Sequence, residues 1–354
     1  MFKNVATTFL VSLALSGTAQ AEITRATDYR LNYEGRSIKD YVTGSVALNW
    51  PGSALSFRFT GSKLDFHAKS DGSQFDVLVD GELYRSVKTF KGEGSYNLLN
   101  FAEPQDIKVE IVKRTESFGS FFTLNSLDHD GTLSGIWENK PHILFIGDSV
   151  TTGYGVESDK LSCTMDEITN TTNGRLSYAS ITAERLGATK TLVAYSGGGL
   201  SRNWAGLEKG YVVPDFLNKA GAVLNDQSAY EGRHVDLVVV NLGGNDFSTP
   251  IYPDEPWPDA ASFYTSWLAD YLTLVENVRA RYANVPIVIM AKQRYSDKIA
   301  DVLELLRTNG ISAITPHFYA VIGEGCNVHP TAAQHDVIAE QLVNTIEDLK
   351  RLGQ

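Results

Sequence analysis

Apolar residues recur at every second position through the first third of the chain: Leu55, Phe57 and Phe59; Leu64 and Phe66; Phe75, Val77 and Val79; Ile107, Val109 and Ile111. Alternation of this kind buries one face of an extended strand and leaves the other in water. Turn formers separate the runs, among them Pro51-Gly52-Ser53, Asp71-Gly72-Ser73 and Asp80-Gly81, as antiparallel strands require. The pattern from about Ile23 to Leu127 predicts a β-sandwich of jelly-roll type.

After Asp128-His129-Asp130-Gly131 the rhythm changes. Short apolar runs (Ile143 to Ile146, Thr191 to Tyr195, Leu237 to Asn241, Val285 to Met290) now alternate with segments of helical spacing at Ser177 to Leu186, Phe263 to Tyr282 and Thr331 to Leu349. That alternation predicts a parallel sheet covered by helices on both faces. In the last segment Ile338, Leu342, Ile346 and Leu349 mark the buried stripe, and His335 is expected on the helix surface. The boundary falls near Gly135, dividing residues 22–134 from 135–354. There is no internal repeat, heptad array or low-complexity tract.

The first residues add a compartment. Lys3, the apolar run Val5 to Ser16 and the small residues Ala19-Gln20-Ala21 read as a signal peptide over residues 1–21, cleaved before Glu22. The expectation is a secreted or periplasmic protein with no membrane span, because no segment approaches the roughly 20 apolar residues a span needs. A net charge of −11 argues against nucleic acid or an anionic membrane as partner and favours a neutral substrate. The two cysteines, Cys163 and Cys326, are expected to pair in an oxidising compartment; two separate buried thiols are the alternative.

In parallel sheets of this kind ligands bind beyond the carboxyl ends of the strands, so the residues that follow each apolar run carry weight. The first run ends in Gly147-Asp148-Ser149, where a serine hydroxyl and its own N–H can face a cleft. The same tripeptide also serves as an ordinary helix-capping turn. The second ends in Ser196-Gly197-Gly198-Gly199, whose bare backbone offers an unencumbered N–H; no phosphate-binding glycine pattern is present. The third ends in Gly243-Gly244-Asn245-Asp246, placing an amide donor at a strand end. Of seven histidines, His329 stands in a loop before the last helix, with Pro330 suited to a first helical position. Histidines and carboxylates show no metal-ligand spacing, so no metal or other cofactor is expected.

Ser, Gly and Asn at three strand ends, then His before the last helix, in this order, resemble the four blocks of the SGNH or GDSL hydrolases. The resemblance assigns Ser149 in GDSVTTGYG, Gly197 in SGGGLSRN, Asn245 in GGND and His329 in CNVHP. A closer likeness runs through WPGSALSFRFTGSKL, FDVLVDG, VKRTESFG and FIGDSVTTGYG, which are similar to family two carbohydrate esterases, a jelly roll followed by an SGNH domain. It implies deacetylation of plant polysaccharides such as xylan or glucomannan, often at the 6-hydroxyl. In this scheme Ser149 is the nucleophile and His329 the base, while the Ser149 and Gly197 N–H groups and the Asn245 amide receive the oxyanion. Trp204 and Trp257 are candidate sugar-stacking residues; Val328 stands where relatives often carry Trp.

One part is missing. The acid that orients the histidine in most such enzymes lies two or three residues before it, where this chain has Asn327 and Cys326. A backbone carbonyl accepting from Nδ1–H would suffice to hold the ring, giving a Ser149–His329 dyad on a loop stiffened by the Cys163–Cys326 bridge. The Asn327 side chain and Glu324 are the alternatives. Two other readings of the whole protein are an SGNH lipase or thioesterase acting on other acyl esters and a non-catalytic carbohydrate-binding protein.

Overall fold

The computed structural model describes residues 21–116, 121–223, 229–230 and 232–352; the expected signal peptide, apart from Ala21, lies outside them. The first domain is entirely antiparallel. Its ten strands join into one sheet, which turns back on itself through two long members, Ala54–Ser70 and Gly92–Lys113. The first half of Ala54–Ser70 also pairs with Asn32–Glu34 and Thr132–Ser134, the second half with Phe122–His129. The change of neighbours falls at a register break between Gly61 and Lys63, since an irregularity bends a strand and lets it serve two layers. Phe57, Phe59, Leu64, Phe66, Phe75 and Val77, the alternating positions, are the buried core between the layers.

The second domain is a five-stranded parallel sheet in the order Thr189–Ala194, His142–Gly147, Leu237–Asn241, Ile287–Lys292, Ile314–Tyr319. Helices Tyr178–Arg185 and Ala332–Leu352 pack on one face, Ala260–Tyr282 and Ser296–Thr308 on the other. Central strands are buried on both sides, so they read as unbroken apolar runs. The strand Ile314–Tyr319 was not among the predicted ones. It holds Pro316 and His317 and forms the sheet edge, where a residue without an N–H is tolerated.

Helix starts follow their caps. Ser177 accepts from Ser180 N–H and Asp259 from Ser262 N–H, each meeting one of the orphan donors of a first turn. The last helix begins at Ala332, so Pro330 lies two residues before it and not at its first position. His335 is fully buried, contrary to the surface position expected, and its Nδ1 accepts the Tyr178 N–H at 3.0 Å. It sits three residues before Ile338, in register with the apolar stripe, where its polarity hides the periodicity.

Candidate active site

The chain order reverses beside the strand His142–Gly147, whose neighbours Thr189–Ala194 and Leu237–Asn241 run into the glycine and asparagine blocks. Such a switch point opens a crevice at the carboxyl end. Ser149 leaves this strand as the first residue of the short helix Ser149–Thr152, capped by Asp148, whose Oδ1 accepts the Val150 N–H at 3.0 Å. A cleft of about 330 Å³ lies here, lined among others by Ser149, Trp204, Asn245, Val328 and His329.

His329 Nε2 is 2.7 Å from Ser149 Oγ. Its Nδ1 lies 3.0 Å from the Cys326 carbonyl and 3.2 Å from that of Asn327. Carbonyls only accept, so the ring proton belongs on Nδ1, which leaves an Nε2 lone pair for the serine hydroxyl. Burial holds the imidazole pKa down at about 4, against the raising effect of the two backbone hydrogen bonds. The ring is therefore neutral over the physiological range and can accept a proton from Ser149. No carboxylate bonds to it among the described residues. Asn327 turns its amide away to donate to Tyr154 Oη at 3.0 Å, and Glu324 makes no bond to the imidazole. The Tyr154 ring packs at 4.4 Å from the imidazole centroid.

The loop below the histidine is strained and bolted. Asn327 and Val328 both adopt left-handed backbone, at φ 51° and 60°, which for a β-branched residue costs on the order of 1–3 kcal/mol. Cys326, fully buried, is joined to Cys163 with Cα atoms 5.4 Å apart, and the Asn327 N–H donates to Leu161 O at 3.1 Å. Gly155, at φ 58°, passes so close that any Cβ there would lie 2.6 Å from Cys326 Cβ.

The glycine block separates into distinct parts. Gly198 N–H donates to Tyr195 O and Gly199 N–H to Asn203 Oδ1, whereas Gly197 N–H has no partner among the described residues. A Cβ on Gly199 would meet Arg202 O at 2.0 Å, one on Gly197 nothing nearer than 3.9 Å. Gly199 is thus a packing glycine and Gly197 the one with a donor to spare. Asn245 Nδ2 donates to Gly198 O at 2.8 Å and, at the outer limit of a hydrogen bond, to Asp148 Oδ2 at 3.5 Å; this second N–H is the weakly held one. Asp246 beside it is buried and accepts three N–H groups, from Leu200, Ser201 and Arg202. Burial nevertheless pushes its carboxyl up to about 6, and that of Asp148 likewise.

Glu116 was not anticipated. It follows the long strand Gly92–Lys113 of the first domain, yet its carboxylate accepts the Ser196 N–H at 2.9 Å and the Ser196 Oγ–H at 2.5 Å, one residue before Gly197. Ser196 Oγ is also 3.2 Å from Thr152 Oγ1, which donates to the Ser149 carbonyl. The bond joins residues 80 apart, beyond any local pattern. Trp204 lines the cleft and is 53% exposed. Trp257 does not line it: its ring packs edge-on against Phe263, 4.8 Å between centroids, over a separate depression beside Arg202 and Glu255. No group of three or more metal-ligating side chains occurs among the described residues.

A switch-point serine hydrogen-bonded to a neutral histidine, on a parallel sheet, defines a serine hydrolase of the GDSL class, and the chain belongs to the GDSL-like Lipase/Acylhydrolase family, which it matches over residues 145–341. Residues 33–134 match Carbohydrate esterase 2 N-terminal. With both domains the protein is a family two carbohydrate esterase, a carboxylic ester hydrolase. It is 28% identical over 341 residues, 92% of this chain and 90% of the other, to a protein of Cellvibrio japonicus (strain Ueda107) named acetylxylan esterase / glucomannan deacetylase. Among solved structures it resembles a family two carbohydrate esterase from Clostridium thermocellum in complex with cellohexaose, at a TM-score of 0.80 and 25% identity over 91% of this chain and 99% of that one. An acetyl xylan esterase from the rumen bacterium Butyrivibrio proteoclasticus superposes at a TM-score of 0.82 with 19% identity, over 94% and 99% of the two chains.

Proposed function

We propose that the protein is an exported esterase that removes O-acetyl groups from xylan, glucomannan or a similar polysaccharide, 6-O positions included, through an acetyl-serine intermediate. Ser149 Oγ attacks the acetyl carbonyl while His329 Nε2 takes its proton; the C–O bond to the sugar then breaks and His329 returns the proton to the sugar oxygen. Water repeats the sequence on the acetyl-serine and releases acetate. The Ser149 and Gly197 N–H groups and the Asn245 amide receive the negative charge on the carbonyl oxygen. The carrying observation is the 2.7 Å contact between Ser149 and a ring whose other nitrogen faces only backbone carbonyls. A dyad oriented without an acid forgoes some stabilisation of the imidazolium, and the strained, disulfide-anchored loop compensates by holding the ring in one place.

The activities for which the Cellvibrio japonicus relatives are named and the cellohexaose complex of the Clostridium thermocellum esterase support a polysaccharide substrate. Trp204, in the cleft wall, is the sugar-stacking candidate that remains. Cleavage near Ala21 and export fit the Cys163–Cys326 bridge, which persists in oxidising compartments; no described helix is long and apolar enough to cross a membrane. Domains divide as 22–134 and 135–354. The test is acetate release from acetylated glucomannan and xylan by the mature chain, with Ser149→Ala as blank. Release that depends on Ser149 is expected; equal release from both proteins, or none from either, overturns the reading.

A further inference from the structure

Lys292, Arg294 and Lys298 follow one another where the strand Ile287–Lys292 runs into the helix Ser296–Thr308, and all three line the cleft that holds Ser149 and His329. The chain as a whole has 31 Lys and Arg against 42 Asp and Glu. In the cleft the balance is reversed, three cations to one acid, Asp148. None of the three forms an ion pair among the described residues. Lys292 feels the Asp148 charge without reaching it, so Arg294 and Lys298 are surplus to that buried carboxyl. Both are steadied by aromatic faces: Lys298 Nζ lies 4.3 Å from the Phe247 centroid and 4.7 Å from that of Tyr264, and the Arg294 guanidinium 4.8 Å from that of Tyr295. Ring contacts hold a cation in place but neutralise nothing.

A neutral acetylated hexose gives such a wall no counter-charge, and placing unpaired cations in a cleft raises the local concentration of anionic ligands. We propose that the substrate is an acidic acetylated polysaccharide, bearing a carboxylate or sulfate close to the scissile ester, and that Arg294 and Lys298 bind this anion. An arginine fork and an ammonium suit an oxyanion's geometry and charge. This rests on the esterase reading and narrows its polysaccharide to one bearing acid groups, in place of the neutral substrate that net charge favoured and of plain glucomannan.

Binding can be measured apart from turnover. Ser149→Ala protein is titrated at low salt with acetylated polygalacturonate, an acetylated sulfated glucan and acetylated glucomannan. At least one acidic polymer should bind about tenfold more tightly than the neutral one, the effect of a single charge-assisted hydrogen bond; which acid binds better identifies the anion. Adding Arg294→Gln and Lys298→Gln to the same protein should erase that preference, as should raised salt. Equal affinity for acidic and neutral polymers, or a preference that survives the double substitution, overturns the proposal. Hydrolysis of 4-nitrophenyl acetate by the unsubstituted chain reports separately on the esterase reading: if it fails while the binding preference holds, the anion site stands and the esterase reading falls.

Discussion

Two loops reach the short helix that begins at Ser149, and they are held by opposite means. The loop of His329 is fixed by covalent and backbone contacts: the bridge at Cys326, the Asn327 N–H on Leu161, and ring contacts to two carbonyls. The loop of Gly197 is fixed by buried carboxylates, Glu116 from the first domain on Ser196 and Asp246 on the three N–H groups that follow the glycines. In the proposed mechanism proton transfer is thus organised without a charge, and the backbone that would receive the oxyanion is organised with two. The first domain belongs to the site in this sense: it supplies an acceptor that the catalytic domain lacks.

The comparison breaks most visibly at the oxyanion side. Asn245→Ala should lower kcat about 100- to 1000-fold with little change in KM, seen in steady-state deacetylation; a loss confined to KM would place Asn245 in ground-state binding instead. Cys163→Ser frees the histidine loop. It should cost about 2–4 kcal/mol in denaturant unfolding and roughly tenfold in kcat, because only backbone hydrogen bonds then hold Val328 in left-handed backbone. Glu116→Gln leaves a Ser196 donor or the new amide mismatched, which is worth about 1–2 kcal/mol; near tenfold loss in kcat at unchanged KM is expected, and an intact kcat would make Glu116 a purely structural tie between domains.

The pH profile separates the loops. As the proposed base His329 must be neutral, and its folded pKa is depressed to about 4, so kcat/KM should hold down to that range and fall below it. The same depression means that stability from His329 is present above its unfolded value near 6.5 and is lost as pH falls through about 4. Asp148 and Asp246 are raised to about 6; their contribution is fully present below the unfolded carboxylate value and lost as pH rises through 6. A shallow shoulder in kcat near 6 should therefore mark the carboxylate-held loop. The smallest effect is reserved for Asn327→Ala, which removes a donor to Tyr154 and leaves the carbonyls in place; about threefold or less in kcat is expected.

Much of this was legible along the chain. Four parallel strands announced themselves because they are buried on both faces, and the candidate serine, glycine, asparagine and histidine followed because the first three stand just past strand ends and the last just before a helix. The edge strand Ile314–Tyr319 did not, since Pro316 and His317 interrupt its apolar run. His335 looked like a surface residue because a buried polar group does not register in an apolar period. Glu116 was illegible for a different reason: its partner lies in another domain, and only folding brings them together. Trp257 shows the converse, a residue near the site in sequence whose ring is taken up by Phe263.

The central claim, a histidine oriented by backbone carbonyls alone, is most directly tested by 15N NMR of the imidazole in the unsubstituted chain, with His329→Gln used to assign its signals. The account predicts a neutral Nδ1–H tautomer that titrates near pH 4. A ring protonated at Nε2, or one that titrates at 6.5 or above as a carboxylate-paired imidazole would, contradicts it.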